Sequence, residues 1–186
     1  MSVKDFVQQR RDDFIAMRRD FHMYPEPAWL EYRSASKVAE KLISLGYDVA
    51  LGADVLDLDS RMGLPSEEVM KAAMARAMDE GADPELVEKM GYGKTAIVAT
   101  MKFSDDGPVV AFRADMDSND VIESKASTHI PAKNVFRSRH EKAMHACGHD
   151  THMTMGLGLA EYIATHKDGL KGTIKLIFQP AEEGVR

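Results

Sequence analysis

The strongest constraint on the fold of this chain is the order of the apolar stretches in its second half. TAIVATM (95–101) and PVVAFRAD (108–115) are short apolar runs joined by the turn-like SDDG, which predicts an adjacent strand pair. Residues 151–166 then read as a helix apolar on most sides, through Met153, Leu157, Leu159, Ala160 and Ile163, so it packs on more than one face. Gly172 to Phe178 follows as a further strand. Strand, crossover helix and strand in this order predict an α/β fold, a three-layer sandwich around a mostly parallel mixed sheet.

The first half is helical by period. Val3, Phe6, Val7, Phe14, Ile15 and Met17 predict one amphipathic helix over 3–22, ending before Pro25. A helix over 33–45 carries Val38, Leu42 and Leu45 on one face, and Gly46 stands where a helix end often needs a left-handed residue. Tyr47 to Leu51 reads as a short strand. SEEVMKAAMARAMDE (66–80) has Ser66 as N-cap, two acids in its first turn and a methionine-rich stripe that reads as packing rather than function. Asp83-Pro84 opens another short helix. Residues 118–143 are polar and irregular, and there is no internal repeat.

With 186 residues, 44% of them hydrophobic, the chain can bury one sizeable core, so one globular unit is expected. The net charge is -6 and basic residues adjoin only as Arg10-Arg11 and Arg18-Arg19, which argues against a nucleic-acid or anionic-membrane partner. No apolar run approaches the ~20 residues that span a bilayer, and MSVKDFVQQRRDDF lacks the apolar core of a signal peptide. A cytoplasmic protein is expected. The single cysteine, Cys147, fits a reducing compartment and leaves a thiol free for metal or chemistry.

Polar residues gather where the strands end. RADMD (113–117) leaves the C-terminal end of one strand and QPAEEG (179–184) that of another, the edge at which open α/β sheets bind ligands. MHACGHDTH (144–152) lies directly before the apolar helix, so Cys147 and His149 can reach the same edge, where the positive end of the helix dipole favours a thiolate or carboxylate. Each cluster also has an ordinary reading. A lone C-x-H is half a zinc site, and is often a buried cysteine beside a surface histidine. A Cys-His dyad at this spacing rarely attains nucleophile-to-base geometry. Glu182 and Glu183 can be solvated charges, although Pro180 and Gly184 bracket them as a fixed turn, and Asp115 and Asp117 can cap a strand end. Three such clusters at one edge favour a shared site.

FHMYPEPAWLEYRSASKVAEKLISLGY, VVAFRADMD, MHACGHDTHMTMGLGLA and GTIKLIFQPAEEG, in this order, resemble the amidohydrolase branch of the aminoacylase and carboxypeptidase metallopeptidases. Members of that branch cleave amide bonds of N-acylated amino acids. The likeness extends over nearly the whole chain, and HACGHD with QPAEEG is a highly specific pair. SRMGLP (60–65) and the helices after it resemble an insert of the members that act on aminobenzoyl-glutamate, which places a helical insert at about 57–92. The resemblance implies that Cys147, His149 and Glu183 are metal ligands and Glu182 the general acid/base. It gives Asp117 a supporting catalytic part, orienting a ligand or loop, and leaves His145 and His152 behind the ligands or purely structural. It further implies two divalent ions, zinc or manganese, a small N-acyl amino acid as substrate, and a homo- or heterodimer for the full-length form.

Two features depart from that pattern. Many relatives continue RADMDALP where this chain reads RADMDSND, so the loop after Asp117 lacks a proline. The chain also ends at Arg186, two residues after QPAEEG, where the resemblance implies further strands, two later histidine ligands and a second domain. The expectation is therefore that residues 1–186 are the N-terminal part of a catalytic domain, with the lid and dimerisation domain absent and no activity alone. The competing readings are a non-catalytic module that pairs with a partner protein, and a hydrolase that uses Cys147 as nucleophile.

Overall fold

The computed structural model describes residues 1–184. Helices α1 (Val3–Gln9), α2 (Arg11–Met23) and α3 (Tyr32–Ser44) lead into β1 (Asp48–Leu51) and a 3-10 turn (Gly52–Val55). Next come α4 (Glu67–Asp79), α5 (Pro84–Met90), β2 (Ile97–Lys102) and β3 (Val109–Asp115). The single-turn α6 (Ile130–Lys133), the long α7 (His149–Thr165) and β4 (Thr173–Gln179) complete the order.

The helix expected over 3–22 is in fact two. The break falls at Arg10, whose N–H still donates to the Phe6 carbonyl while its Nε lies 2.7 Å from Glu161 Oε1 on α7. Bending there brings Phe6 against both Phe14 and Tyr162, with ring centroids 6.1 and 5.3 Å away. Contacts with α7 thus override a helical period that runs through the break. The caps of α4 and α5 are as expected: Ser66 accepts from the Val69 N–H, and Asp83 from the Glu85 and Leu86 N–H groups. Met70, Ala73 and Ala77 bury the α4 stripe, whereas Met78 on its margin is exposed. α4 and α5 pack on α3 and on each other.

The sheet is mixed, in the order β1-β2-β4-β3. β1 pairs antiparallel with β2, and β2 with β4; only β3 and β4 run parallel, so among the described residues the sheet is not mostly parallel. Nor are β2 and β3 neighbours. The α7 crossover sets β4 parallel beside β3, and β4, with Ile174, Leu176 and Phe178 buried, takes the central place between them. SDDG therefore spans the start of β4 instead of closing a hairpin: the Phe103 N–H donates to the Gly172 carbonyl and the Gly172 N–H to Ser104 Oγ, both at 2.9 Å.

One face of the sheet, carrying Ile97, Ala99, Leu176 and Phe178, forms the core with α3 and α7 through Val38, Leu42, Met153 and Leu157. The opposite face, with Val98, Thr100, Lys175 and Ile177, is half-buried. The α/β class is as expected, and the described residues build two of the three expected layers. No helix among them is long and apolar enough to cross a membrane.

Candidate metal centre

Because β3 and β4 are parallel, RADMD and QPAEEG leave the sheet side by side. The Met116 N–H donates to the Gln179 carbonyl at 3.0 Å, which carries the pairing one step beyond the strands. Asp117 is fully buried, and its two oxygens accept from the N–H groups of Glu182 at 3.1 Å and Glu183 at 2.8 Å. On the other side of the turn, Glu31 Oε1 accepts from the Ala181 N–H at 2.8 Å and the Trp29 N–H at 3.0 Å, while its Oε2 accepts from the Thr95 hydroxyl at 2.7 Å. Between these anchors Ala181 is held at φ 56°, a left-handed conformation that is costly for a residue with a Cβ. The two adjacent glutamates are thus presented by a turn gripped from both sides.

Gly148, at φ 108°, turns the chain into α7 and sets Cys147 just before it and His149 in its first turn. The next residue fastens that turn to α2: Asp150 Oδ2 lies 2.7 Å from His22 Nδ1 and 3.0 Å from Arg18 Nε. His149 donates through Nδ1–H to the Asp117 carbonyl at 2.8 Å, so the Nε2 lone pair is left for a ligand. Cys147, His149 and Glu183 then offer donor atoms that all lie within 4.8 Å of one another. The Glu182 carboxylate, 41% exposed, comes to 3.8 Å from His149 Nε2.

The two neighbouring histidines differ. His152 is half-exposed and its ring stacks on that of His149, centroids 5.2 Å apart. His145 is buried with neither ring nitrogen hydrogen-bonded among the described residues, and burial pulls its pKa down to about 4.

Cys147 is exposed at the mouth of this cluster. A hydrogen bond with Glu183, some burial and the charges of Glu183, Glu182 and Asp115 push its thiol above the ordinary value. The helix end, expected to favour a thiolate, is outweighed by these acids. A thiol held protonated is a poor nucleophile, which counts against Cys147 as the attacking group. The donor chemistry fits a divalent cation instead: a thiol, an imidazole with one committed nitrogen and a carboxylate converge beside a further acid, Glu182.

Beside Glu183 a cavity of about 480 Å³ opens between Pro27, Ser118, Asn119, Gly63 and Pro65. The SRMGLP loop forms one wall, fixed where the Trp29 indole N–H donates to the Met62 carbonyl at 2.7 Å. Gly63 lies so close to the glutamate turn that a Cβ there would be 2.7 Å from the Gly184 carbonyl oxygen.

Sequence reasoning missed two residues of this architecture. Glu31 precedes a helix, where an acid ordinarily faces solvent, and only tertiary burial reveals that it grips the turn. Asn119 lies in the very loop where the proline is lost: it bridges to Met144, and its side-chain oxygen accepts the Cys147 N–H at 3.1 Å.

Residues 111–186 match the model of Peptidase family M20/M25/M40. Over 184 residues the chain is 47% identical to the indole-3-acetyl-aspartic acid hydrolase of Enterobacter agglomerans, covering 99% of this chain and 42% of the relative. Over 185 residues it is 46% identical to one of the subunits of the p-aminobenzoyl-glutamate hydrolase of Escherichia coli (strain K12), covering 100% and 42%. The chain therefore spans less than half the length of these curated relatives. Among solved structures, the aminobenzoyl-glutamate utilization protein from Klebsiella pneumoniae superposes with a TM-score of 0.81 at 40% identity, over 100% of this chain and 40% of that one. A Bacillus subtilis protein described as a dinuclear metal binding peptidase from M20 family gives 0.62 at 31% identity, over 97% and 37%. Whole-chain identity, agreement of fold and the family match across both strand-end motifs together make this chain similar, over nearly its whole length, to proteins of Peptidase family M20/M25/M40.

Proposed function

We propose that residues 1–186 are the N-terminal part of the catalytic domain of a metal-dependent amidohydrolase that acts on a small N-acyl amino acid, with residues 57–92 as a helical insert. The observation that carries this reading is the convergence of Cys147, His149 and Glu183 within 4.8 Å, beside a further acid, Glu182. Cys147, His149 and Glu183 would hold divalent metal in this reading, zinc in preference to manganese because of the thiolate, and the metal would supply Lewis-acid polarisation of the amide carbonyl and make water more acidic. Glu182 takes a proton from the attacking water and delivers it to the leaving amine. Asp117 positions both partners at once, through the Glu182 and Glu183 N–H groups on its carboxylate and His149 on its carbonyl. The cavity walled by Gly63 and Pro65 receives the substrate next to Glu183.

The names of two relatives support a narrower substrate class. Both p-aminobenzoyl-glutamate and indole-3-acetyl-aspartic acid join an aromatic acyl group to an acidic amino acid. Aminobenzoyl-glutamate is thus the substrate of choice for assay, and the naming of the Escherichia coli relative as one subunit of its enzyme supports a homo- or heterodimeric assembly. The single cysteine, Cys147, left as a free thiol, suits a cytoplasmic setting.

The test is a chimera in which this segment replaces the corresponding part of the Escherichia coli relative. Glu182→Gln should leave metal content unchanged while turnover of aminobenzoyl-glutamate falls about 10²–10⁴-fold, the usual contribution of a general acid/base. Cys147→Ser should instead lower metal occupancy, with part of the activity returning at high metal concentration. Full metal retention with complete loss of activity in Cys147→Ser would point to a thiol nucleophile and sink the proposal.

A further inference from the structure

We propose that Asp115, His149 and His152 form a second cation position, an alternative to the one at Cys147, and that it takes harder ions such as manganese(II) or iron(II). These three side chains also offer donor atoms within 4.8 Å of one another. The geometry follows from the two elements that carry them. His149 and His152 lie three residues apart in the first turn of α7, so they share a helix face, and their rings stack at 27°. Asp115 is the last residue of β3 and only 6% exposed. Its Oδ2 lies 3.4 Å from His152 Nδ1 and 3.9 Å from His149 Nε2. An ion with bonds of about 2.0–2.2 Å needs donors separated by roughly 3.0–3.5 Å; the Asp115–His152 separation already lies in that range, and His149 has to move inward for the set to close on a metal. Arg113 pairs with Asp115 Oδ1 and leaves Oδ2 for the ion.

The chemistry of the two positions differs. Two imidazoles and one carboxylate, with open places toward solvent at the half-exposed His152, suit manganese(II) or iron(II). A thiolate with an imidazole and a carboxylate suits zinc. The positions are also mutually exclusive. The Nδ1–H of His149 is committed to the Asp117 carbonyl, and the one remaining lone pair on Nε2 serves a single ion. An ion at Asp115 thus withdraws His149 from the Cys147 set, so that the identity of the metal selects the site. The exclusivity rests on the reading of Cys147, His149 and Glu183 as ligands; the second position stands on its own distances.

Manganese(II) and cobalt(II), each added alone to the 186-residue chain, separate the two. Cobalt should give a thiolate-to-metal charge-transfer band that Cys147→Ser removes. Manganese, followed by loss of the free-ion electron paramagnetic resonance signal, should bind the Cys147→Ser variant as well as the wild type. His152→Gln, a change at a half-exposed position that spares the fold, should weaken manganese at least about tenfold while keeping the cobalt band, and Asp115→Asn should do the same. Zinc added to the manganese-loaded chain should release manganese one for one. Equal manganese affinity in the wild type and His152→Gln overturns the second position, and tight binding of one zinc and one manganese together overturns the exclusivity. If manganese binds as stated but the wild type shows no cobalt band, the second position stands and the Cys147 site fails.

Discussion

Glu31 has no solvent exposure, yet its carboxyl group takes hydrogen bonds from Trp29, Ala181 and Thr95. Burial pushes its pKa up to about 8; the Thr95 and Ala181 bonds oppose the rise and the charge of Asp117 adds to it. A carboxyl group raised in this way keeps a proton in the folded state that the unfolded chain has released. Its stabilising contribution is complete below the ordinary value of 4.5 and is lost as pH rises toward about 8. Urea denaturation should therefore show this group lowering stability by up to about 1.4 kcal/mol per pH unit across that window. Glu31→Gln removes the slope, and subtracting the two curves cancels the contributions of other titrating groups such as His22 and His145. A wild-type-minus-variant difference that stays flat from about pH 5 to 8 would show that Glu31 is ionised in the folded protein.

At the scale of elements, the site depends on how closely α7 lies on the sheet. A Cβ at Gly156 would fall 2.9 Å from Phe178 Cζ and 3.5 Å from the Ala114 Cβ, whereas at Gly158 the nearest atom is Phe14 Cζ at 3.3 Å. Replacing a helical glycine with alanine gains about 1 kcal/mol of helix propensity, while overpacking a core costs about 1–3 kcal/mol. At Gly156 the crowded Phe178 ring is itself buried in the core, so Gly156→Ala should lose about 1 kcal/mol net. Gly158→Ala, which needs Phe14 to give by only a few tenths of an ångström, should be neutral or slightly stabilising. Thermal denaturation ranking Gly156→Ala above Gly158→Ala would show that α7 can lift from β4 without cost.

For the whole molecule, the exposed edge of the sheet matters most. β3 is one of the two outer strands among the described residues, and Val109, Val110 and Phe112 on it are 67%, 42% and 47% exposed. An apolar edge with unpaired backbone groups is a template for strand addition. The 186-residue chain should therefore self-associate as its concentration rises, and Val109→Lys, which places a charge on that edge, should weaken the association. Sedimentation velocity over a concentration series reads both effects. Equal association by the wild type and Val109→Lys would place the contact elsewhere.

Much of this molecule is written in short-range interactions and was legible without coordinates. The Ser66 and Asp83 caps, the four strands and the long α7 follow from periodicity and from hydrogen bonds within a few residues of each other. So does the meeting of Cys147, His149 and Glu183, because parallel strands joined by a helix deliver their C-terminal ends to one edge. The rest is settled by contacts between residues far apart in the chain. The break at Arg10 answers to Glu161, and the insertion of β4 between β2 and β3 reflects which strand can best fill the centre of the sheet. Glu31, an unremarkable acid in the sequence, becomes the brace of the glutamate turn because folding removes it from water and offers it Ala181 and Thr95 in exchange. Periodicity records which face of an element is apolar. Which distant partner covers that face, and which charge is buried with it, is decided only when the whole chain packs.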